Sequence, residues 1–164
     1  MKLETSDNWR MGARRMLEVE EGAVIVPYDD ATGDRIKAPI GNVTIGCGRN
    51  TDAKPLKADE IVYLLDNDID DAVEDCKAVL GEFEYRGLSE IHQYAMINMA
   101  FTLGRAGLAK FENMIDAIKR KEFREAADHI LSSKWFSQAP NRVFRVAEML
   151  RSEQYPSYYV TGHL

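Results

Sequence analysis

The chain is short of covalent cross-links, of long apolar runs and of positive charge. Its 164 residues hold two cysteines, Cys47 and Cys76, too few for a disulfide framework in a chain this long. The longest apolar stretches, such as 23–26 and 61–65, are far too short to cross a bilayer. No apolar run follows the charged N-terminal residues, so neither a signal peptide nor a signal anchor is expected and the product should be soluble and cytoplasmic. A net charge of -6 argues against general nucleic-acid binding. No repeat and no low-complexity segment interrupts a composition that is 45% hydrophobic and 29% charged, the balance of a folded globular chain.

Charge is present but unevenly spread. Between Asp59 and Asp75 there are eight acids and no Lys or Arg, whereas Arg105 to Arg151 holds ten basic and six acidic residues. Two solvated helix faces would account for both runs. A sharper reading is that the basic half attracts an anionic polymer while the acidic run faces away from it.

Hydrophobic periodicity divides the chain. Trp9 to Val19 carries apolar residues at Trp9, Met11 or Ala13, Met16 and Val19, an amphipathic helix ending near Glu21. Residues 23–48 change character: Ala23 to Val26, Arg35 to Ile40 and Val43 to Ile45 read as short strands, and Gly41-Asn42 as a tight hairpin connection. A helical period through 58–80 then predicts one long helix. Ser89 is placed to cap a very apolar helix, Ile91 to Leu103, which Gly104 stops. Further helices are expected at Leu108 to Ile118, Glu122 to Leu131 and, opened by Pro140, Asn141 to Arg151. Tyr155, Tyr158 and Tyr159 should pack back on the helical part. The predicted architecture is α+β in a single domain. A small β-containing N-terminal lobe (about 10–57) joins a larger helical C-terminal lobe (81–164) through the helix at 58–80, with a cleft between them.

Chemistry concentrates near the first helix end. Glu21-Gly22 closes a helical pattern, Asp30 follows nine positions later on a turn, and Thr44 sits in Val43-Thr44-Ile45-Gly46-Cys47-Gly48. One carboxyl to protonate a leaving oxygen, another to handle water and a hydroxyl to fix that water is the set that glycoside hydrolysis requires. Taken singly, Glu21 is a solvated helix-end acid and Asp30 a turn former. Cys47 and Cys76 read as core thiols; a nucleophilic Cys47 with His92 or His129 is a minor alternative.

In order and context these motifs resemble the phage lysozymes of the T-even type, glycoside hydrolase family 24. The family shows Glu-Gly, then Tyr-x-Asp, then Thr-Ile-Gly-x-Gly, with nine positions between Glu and Asp. Ala95 to Phe101 with Gly104 resembles its central helix, and Phe111-Glu112-Asn113 follows. Ser133-Lys134-Trp135 and Gln138-Ala139-Pro140-Asn141-Arg142 with Arg145 resemble its C-terminal signature. The likeness runs from about residue 10 to about residue 155.

That resemblance implies a lysozyme-like fold and a muramidase acting on peptidoglycan. Glu21 would be the general acid, partly desolvated so that it stays protonated. Asp30 would orient or deprotonate the water, Thr44 would hold it, and the anomeric centre would invert across carboxyls roughly 6.5–9.5 Å apart. Asn50, Phe101, Met114, His129 and Arg142 would contact substrate. Arg142 and Arg145 could meet peptide-stem carboxylates or brace the lobe through carboxylate pairs. No metal or cofactor is implied. The family role is a monomeric endolysin of a phage or prophage, held in the host cytoplasm and released to the wall by a separate holin. Two rivals remain: a lytic transglycosylase using Glu21 without a water-activating Asp, and a non-enzymatic wall-binding or interaction module that has kept the fold.

Two departures stand out. Asp30 and Thr44 are 14 positions apart, about eight more than the family pattern, with 34–42 as the insertion; closure entropy rises slowly enough to tolerate this. It leaves open whether Asp29 or Asp34 shares the role of Asp30. Arg49 stands where the pattern has a histidine, and should pair with an acid near the start of the long helix.

Overall fold

Helix α1, Asp7–Glu21, forms because Trp9, Ala13, Met16 and Leu17 fall on one face, and all four are buried. Met11, one of two candidates for that face, is instead 55% exposed. Gly12 permits close approach to the apolar helix: a Cβ there would collide with the Tyr94 hydroxyl, which donates to the Trp9 carbonyl at 2.9 Å. The computed structural model describes residues 7–37 and 40–161.

After α1 the chain holds little regular structure until residue 58. Strands β1, Thr44–Ile45, and β2, Arg49–Asn50, pair antiparallel with Thr44 opposite Asn50 and Ile45 opposite Arg49. An isolated bridge joins Tyr28 and Arg35. The strand expected at Ala23 to Val26 does not form, although Ile25 accepts one hydrogen bond from the Leu56 amide. Of the strand expected at Arg35 to Ile40 only the Arg35 bridge is present, and residues 38 and 39 lie outside the described residues. The hairpin turns at Gly46-Cys47-Gly48, where both glycines take positive φ (54° and 82°), rather than at Gly41-Asn42. Cys47 is therefore an exposed turn residue, not a core thiol, whereas Cys76 is buried as expected.

Helix α2, Ala58–Leu80, opens with the Glu60 carboxylate accepting the Lys57 amide at 2.8 Å. Ile69, Ala72, Val73, Cys76 and Leu80 in its second half are buried, while Tyr63 and Leu64 in its first half are exposed. The acidic run along it is not simply a solvated face. Asp66 and Asp70 pair with Arg14 and Arg10 of α1, Asp75 with Arg105, and Glu60 with Arg49. The Arg14 hydrogen bonds hold the Asp66 carboxyl below its usual range despite partial desolvation.

Short α3, Glu82–Arg86, leads to α4, Glu90–Leu108, capped by the Ser89 hydroxyl accepting the His92 amide. Gly104, expected to end this helix, kinks it instead (φ 65°, ψ 173°), and one more turn follows. The run from Tyr94 to Ala100 is buried throughout, so α4 is the central helix. Around it lie α5 (Glu112–Lys119), α6 (Phe123–Leu131), short α7 (Lys134–Gln138), α8 (Pro140–Ser152) and α9 (Ser157–Thr161). The first turn expected for α5, at Leu108, belongs to the end of α4. Helix α9 brings Tyr159 into the core, fully buried, and the Tyr155 hydroxyl donates to the Gly12 carbonyl at 2.8 Å. Largely helical with one small sheet, the chain fits an α+β, lysozyme-like fold.

Candidate active site

Two consecutive carboxylates end α1, and they differ sharply. The Glu21 side chain is 42% exposed and accepts a hydrogen bond from Arg142 Nη1 at 2.7 Å. The Glu20 side chain is 4% exposed and takes a two-point contact from Arg145, at 2.8 and 2.5 Å, plus the Tyr159 hydroxyl at 2.5 Å. Burial pushes the Glu20 carboxyl up, but the hydrogen bonds from Arg145 and Tyr159 outweigh it and hold the group below its usual value. The Arg145 guanidinium also lies 4.3 Å from the Tyr158 ring centre. The desolvation expected for Glu21 belongs to its neighbour.

Arg142 is the brace. Its Nε donates to the Asn98 side-chain oxygen at 2.7 Å, and the Asn98 amide reaches the Tyr159 hydroxyl at 3.4 Å. Asn98 is fully buried in α4. Of the two roles open to Arg142, substrate contact and bracing through a carboxylate, the geometry displays the second. Its buried Nη2 has no acceptor among the described residues. Read from the sequence, Glu20 and Asn98 have no role of their own and Tyr159 only that of packing on the helical part. The available signal was two arginines three apart on one helix face, facing two consecutive acids.

Asp30 lies exposed in the turn after Tyr28, and its carboxylate has no hydrogen bond among the described residues. Asp29 has one: it accepts the Ala31 amide at 2.9 Å, an Asx turn that its own backbone reinforces through the Asp34 and Gly33 contacts. Thr44 is exposed and donates to the Asn42 carbonyl at 3.3 Å. Asn50, its partner across the strand pair, is half-buried, with its side-chain oxygen occupied by the Asp52 and Ala53 amides. Arg49 makes the expected pair, with Glu60 in the first turn of α2, and also donates to the Lys54 and Pro55 carbonyls at 2.9 and 2.6 Å.

Met114 and His129 come together in a cavity of about 620 Å³ at the end of α4, with Phe111, Trp135, Lys110 and Lys134 among its walls. Met114 is almost fully buried and forms floor; His129 is half-buried, 3.5 Å from the Glu125 carboxylate. Phe101 is half-buried against the core and does not line this cavity. Among the described residues no group of three or more His, Cys, Asp or Glu is arranged to hold a metal ion, and no helix is long and apolar enough to cross a membrane.

No family model matches the chain. It is similar to curated proteins at low identity. Over 178 residues it is 26% identical to the pre-baseplate central spike protein Gp5 of Enterobacteria phage T4, covering 97% of this chain but 31% of that protein, so the chain spans about a third of that relative's length. Two proteins of Dictyostelium discoideum are similar over most of their own length. Probable T4-type lysozyme 1 is 26% identical over 85% of this chain and 76% of the relative; probable T4-type lysozyme 2 is 24% identical over 87% and 95%. The two proteins matched over most of their own length both carry lysozyme names, at 24% and 26% identity.

Proposed function

We propose that the protein is a peptidoglycan muramidase that hydrolyses the β-1,4 bond between N-acetylmuramic acid and N-acetylglucosamine. The observation that carries this reading is Glu21, held at the exposed end of helix α1 by an arginine that is itself anchored on a core asparagine. Its motif context and the likeness to T4-type lysozymes point the same way. Glu21 is the general acid. A glycan laid over it excludes water and supplies on binding the desolvation that the free protein lacks. Asp30, whose carboxylate makes no hydrogen bond among the described residues, handles the attacking water from the opposite face with Thr44, and inversion follows if room for that water is kept. The 620 Å³ cavity beyond Gly104, with Trp135, His129 and two lysines, suits a substituent of the wall polymer. In this reading the protein is a monomeric phage-type endolysin that needs no cofactor. It accumulates in the cytoplasm and reaches the wall after a holin opens the membrane.

The test is digestion of purified peptidoglycan followed by mass analysis of the new sugar ends. Reducing N-acetylmuramic ends are expected. 1,6-Anhydro ends would replace hydrolysis by transglycosylation, and wall binding without cleavage would leave an interaction module.

A further inference from the structure

Residues 20 and 21 begin and end one hydrogen-bonded circuit. From Glu21 it runs to Arg142 Nη1 (2.7 Å), through Arg142 Nε to the Asn98 oxygen (2.7 Å), and from the Asn98 amide to the Tyr159 hydroxyl (3.4 Å). That hydroxyl donates to Glu20 at 2.5 Å, and the peptide bond returns to Glu21. Four helices contribute: α1, α8, α4 and α9. Asn98 and Tyr159 are fully buried, the Arg142 side chain is 12% exposed, and Glu21 is the most open member at 42%.

A circuit of this kind has a geometric consequence. Arginine alone is a long side chain with roughly 2 kcal/mol of rotamer freedom, and an exposed ion pair holds a carboxylate only loosely. Here Asn98 fixes the guanidinium plane from behind. The Asn98 amide orientation is in turn fixed by a hydroxyl whose proton is committed to Glu20. Rotating Arg142, Asn98 or Tyr159 breaks two contacts of the circuit, so the guanidinium that holds the Glu21 carboxylate is tied to the core.

We propose that Asn98 and Tyr159 are positioning residues for Glu21, acting through Arg142, and that helix α9 is therefore part of the catalytic apparatus although it touches no substrate. The inference rests on the muramidase reading. It assigns a task to Tyr159, which has no solvent exposure, that differs from filling space. Tyr159→Phe keeps the ring and its packing on Tyr155 and Tyr158 while deleting the hydroxyl that joins Asn98 to Glu20.

The test measures cleavage of solubilised wall glycan oligomers by wild type, Tyr159→Phe, Arg142→Gln and the double variant, at a temperature where all four are folded by circular dichroism. Tyr159→Phe should lower kcat about tenfold with KM within about twofold, the scale of one lost hydrogen bond acting only in the transition state. In the Arg142→Gln background the same change should cost less than about twofold, because the path it acts through is already cut. An unchanged kcat in Tyr159→Phe, or a full tenfold loss on top of Arg142→Gln, overturns the positioning role and leaves Tyr159 as packing. Asn98→Leu, which fills the site without the amide, should repeat the kcat loss; a normal kcat there overturns the Asn98 half. If wild type cleaves nothing while folded, the muramidase reading fails instead, and the two failures are distinct.

Discussion

Residues 22–57 and the helical body around α4 are held together by different forces. The body buries Met16, Ile69, Met96, Ile97, Leu108, Ile130 and Met149 essentially completely. Among the described residues of 22–57 only Thr51 is buried, while Val24, Ile25, Ile36 and Ile45 each stay more than 40% exposed. Polar stitches hold this segment: Arg49 to Glu60 and two carbonyls, Arg35 to Asp52 at 2.6 Å, and the Thr51 hydroxyl to the Val43 carbonyl at 3.0 Å. The acid of the proposed site belongs to the helical body, at the end of α1, and the two water-handling residues to 22–57. The acid is preorganised by packing; Asp30 and Thr44 are carried on a segment whose local unfolding costs little.

The comparison can be broken at the acid. Glu21→Gln should leave the melting temperature near wild type and reduce wall lysis by at least about 10²–10⁴, the usual worth of general acid catalysis. Turbidity assays beside thermal melts read both; near-normal lysis would remove Glu21 from the site.

A second way is through the aspartates. Asp30→Asn should lower lysis by about 10²-fold or more. Asp34→Asn should change it little, and Asp29→Asn should loosen the turn without approaching that loss, because the Asp29 carboxylate serves the Ala31 amide. A larger loss in Asp34→Asn would move the water-handling carboxyl into the insertion.

Stability sharpens the contrast next. Ile97→Ala in the body should cost about 2–5 kcal/mol, whereas Ile45→Ala, 46% exposed, should stay within about 0.5 kcal/mol. Urea titrations of both variants decide it, and equal costs would mean that the small segment hides a core of its own.

Acid should act on the body through His92. Burial lowers its pKa below 6.5, only partly offset by the hydrogen bond to the Leu150 carbonyl at 3.2 Å. The ring is neutral in the fold and stacked on Phe123. The unfolded chain takes up the proton first, so stability should decline as pH falls from about 6.5 through the lowered folded value. Denaturant melts between pH 7 and 5 should show a slope that His92→Gln removes.

The smallest effect concerns charge. Raising salt should slow lysis if the basic stretch attracts an anionic wall polymer, and neutralising Lys119, Lys121 and Arg124 together should flatten that dependence by at most a few-fold. An unchanged salt profile would mark the stretch as a solvated face.

The sequence exposed these two regions unequally, for physical reasons. Helix α2 was legible to the residue because its apolar period persists for 23 positions between clear end signals. Ser89 and Pro140 marked their helices by chemistry that admits few other uses. The segment 22–57 was misjudged where β-branched runs lacked a partner: Ala23 to Val26 has strand composition, but a strand exists only by pairing. The glycines of Thr-Ile-Gly-Cys-Gly, not Gly41-Asn42, make the hairpin turn, since their positive φ belongs to a turn. Glu21 stood out through its motif. Glu20 did not, because only tertiary structure, through Arg145 and Tyr159, separates two adjacent glutamates into one buried and one exposed.

The Glu20–Tyr159 contact spans 139 positions of chain. During synthesis at about 5–20 residues per second, α1 waits roughly 7–28 s after Glu20 is made before Tyr159 can meet it. Throughout that interval Arg142 and Arg145 are also absent or newly made, so both carboxylates remain without counter-charges. The nascent chain therefore carries the proposed acid in an unassembled state until α8 and α9 are made. On the proposed function, activity then arrives as an event rather than by degrees.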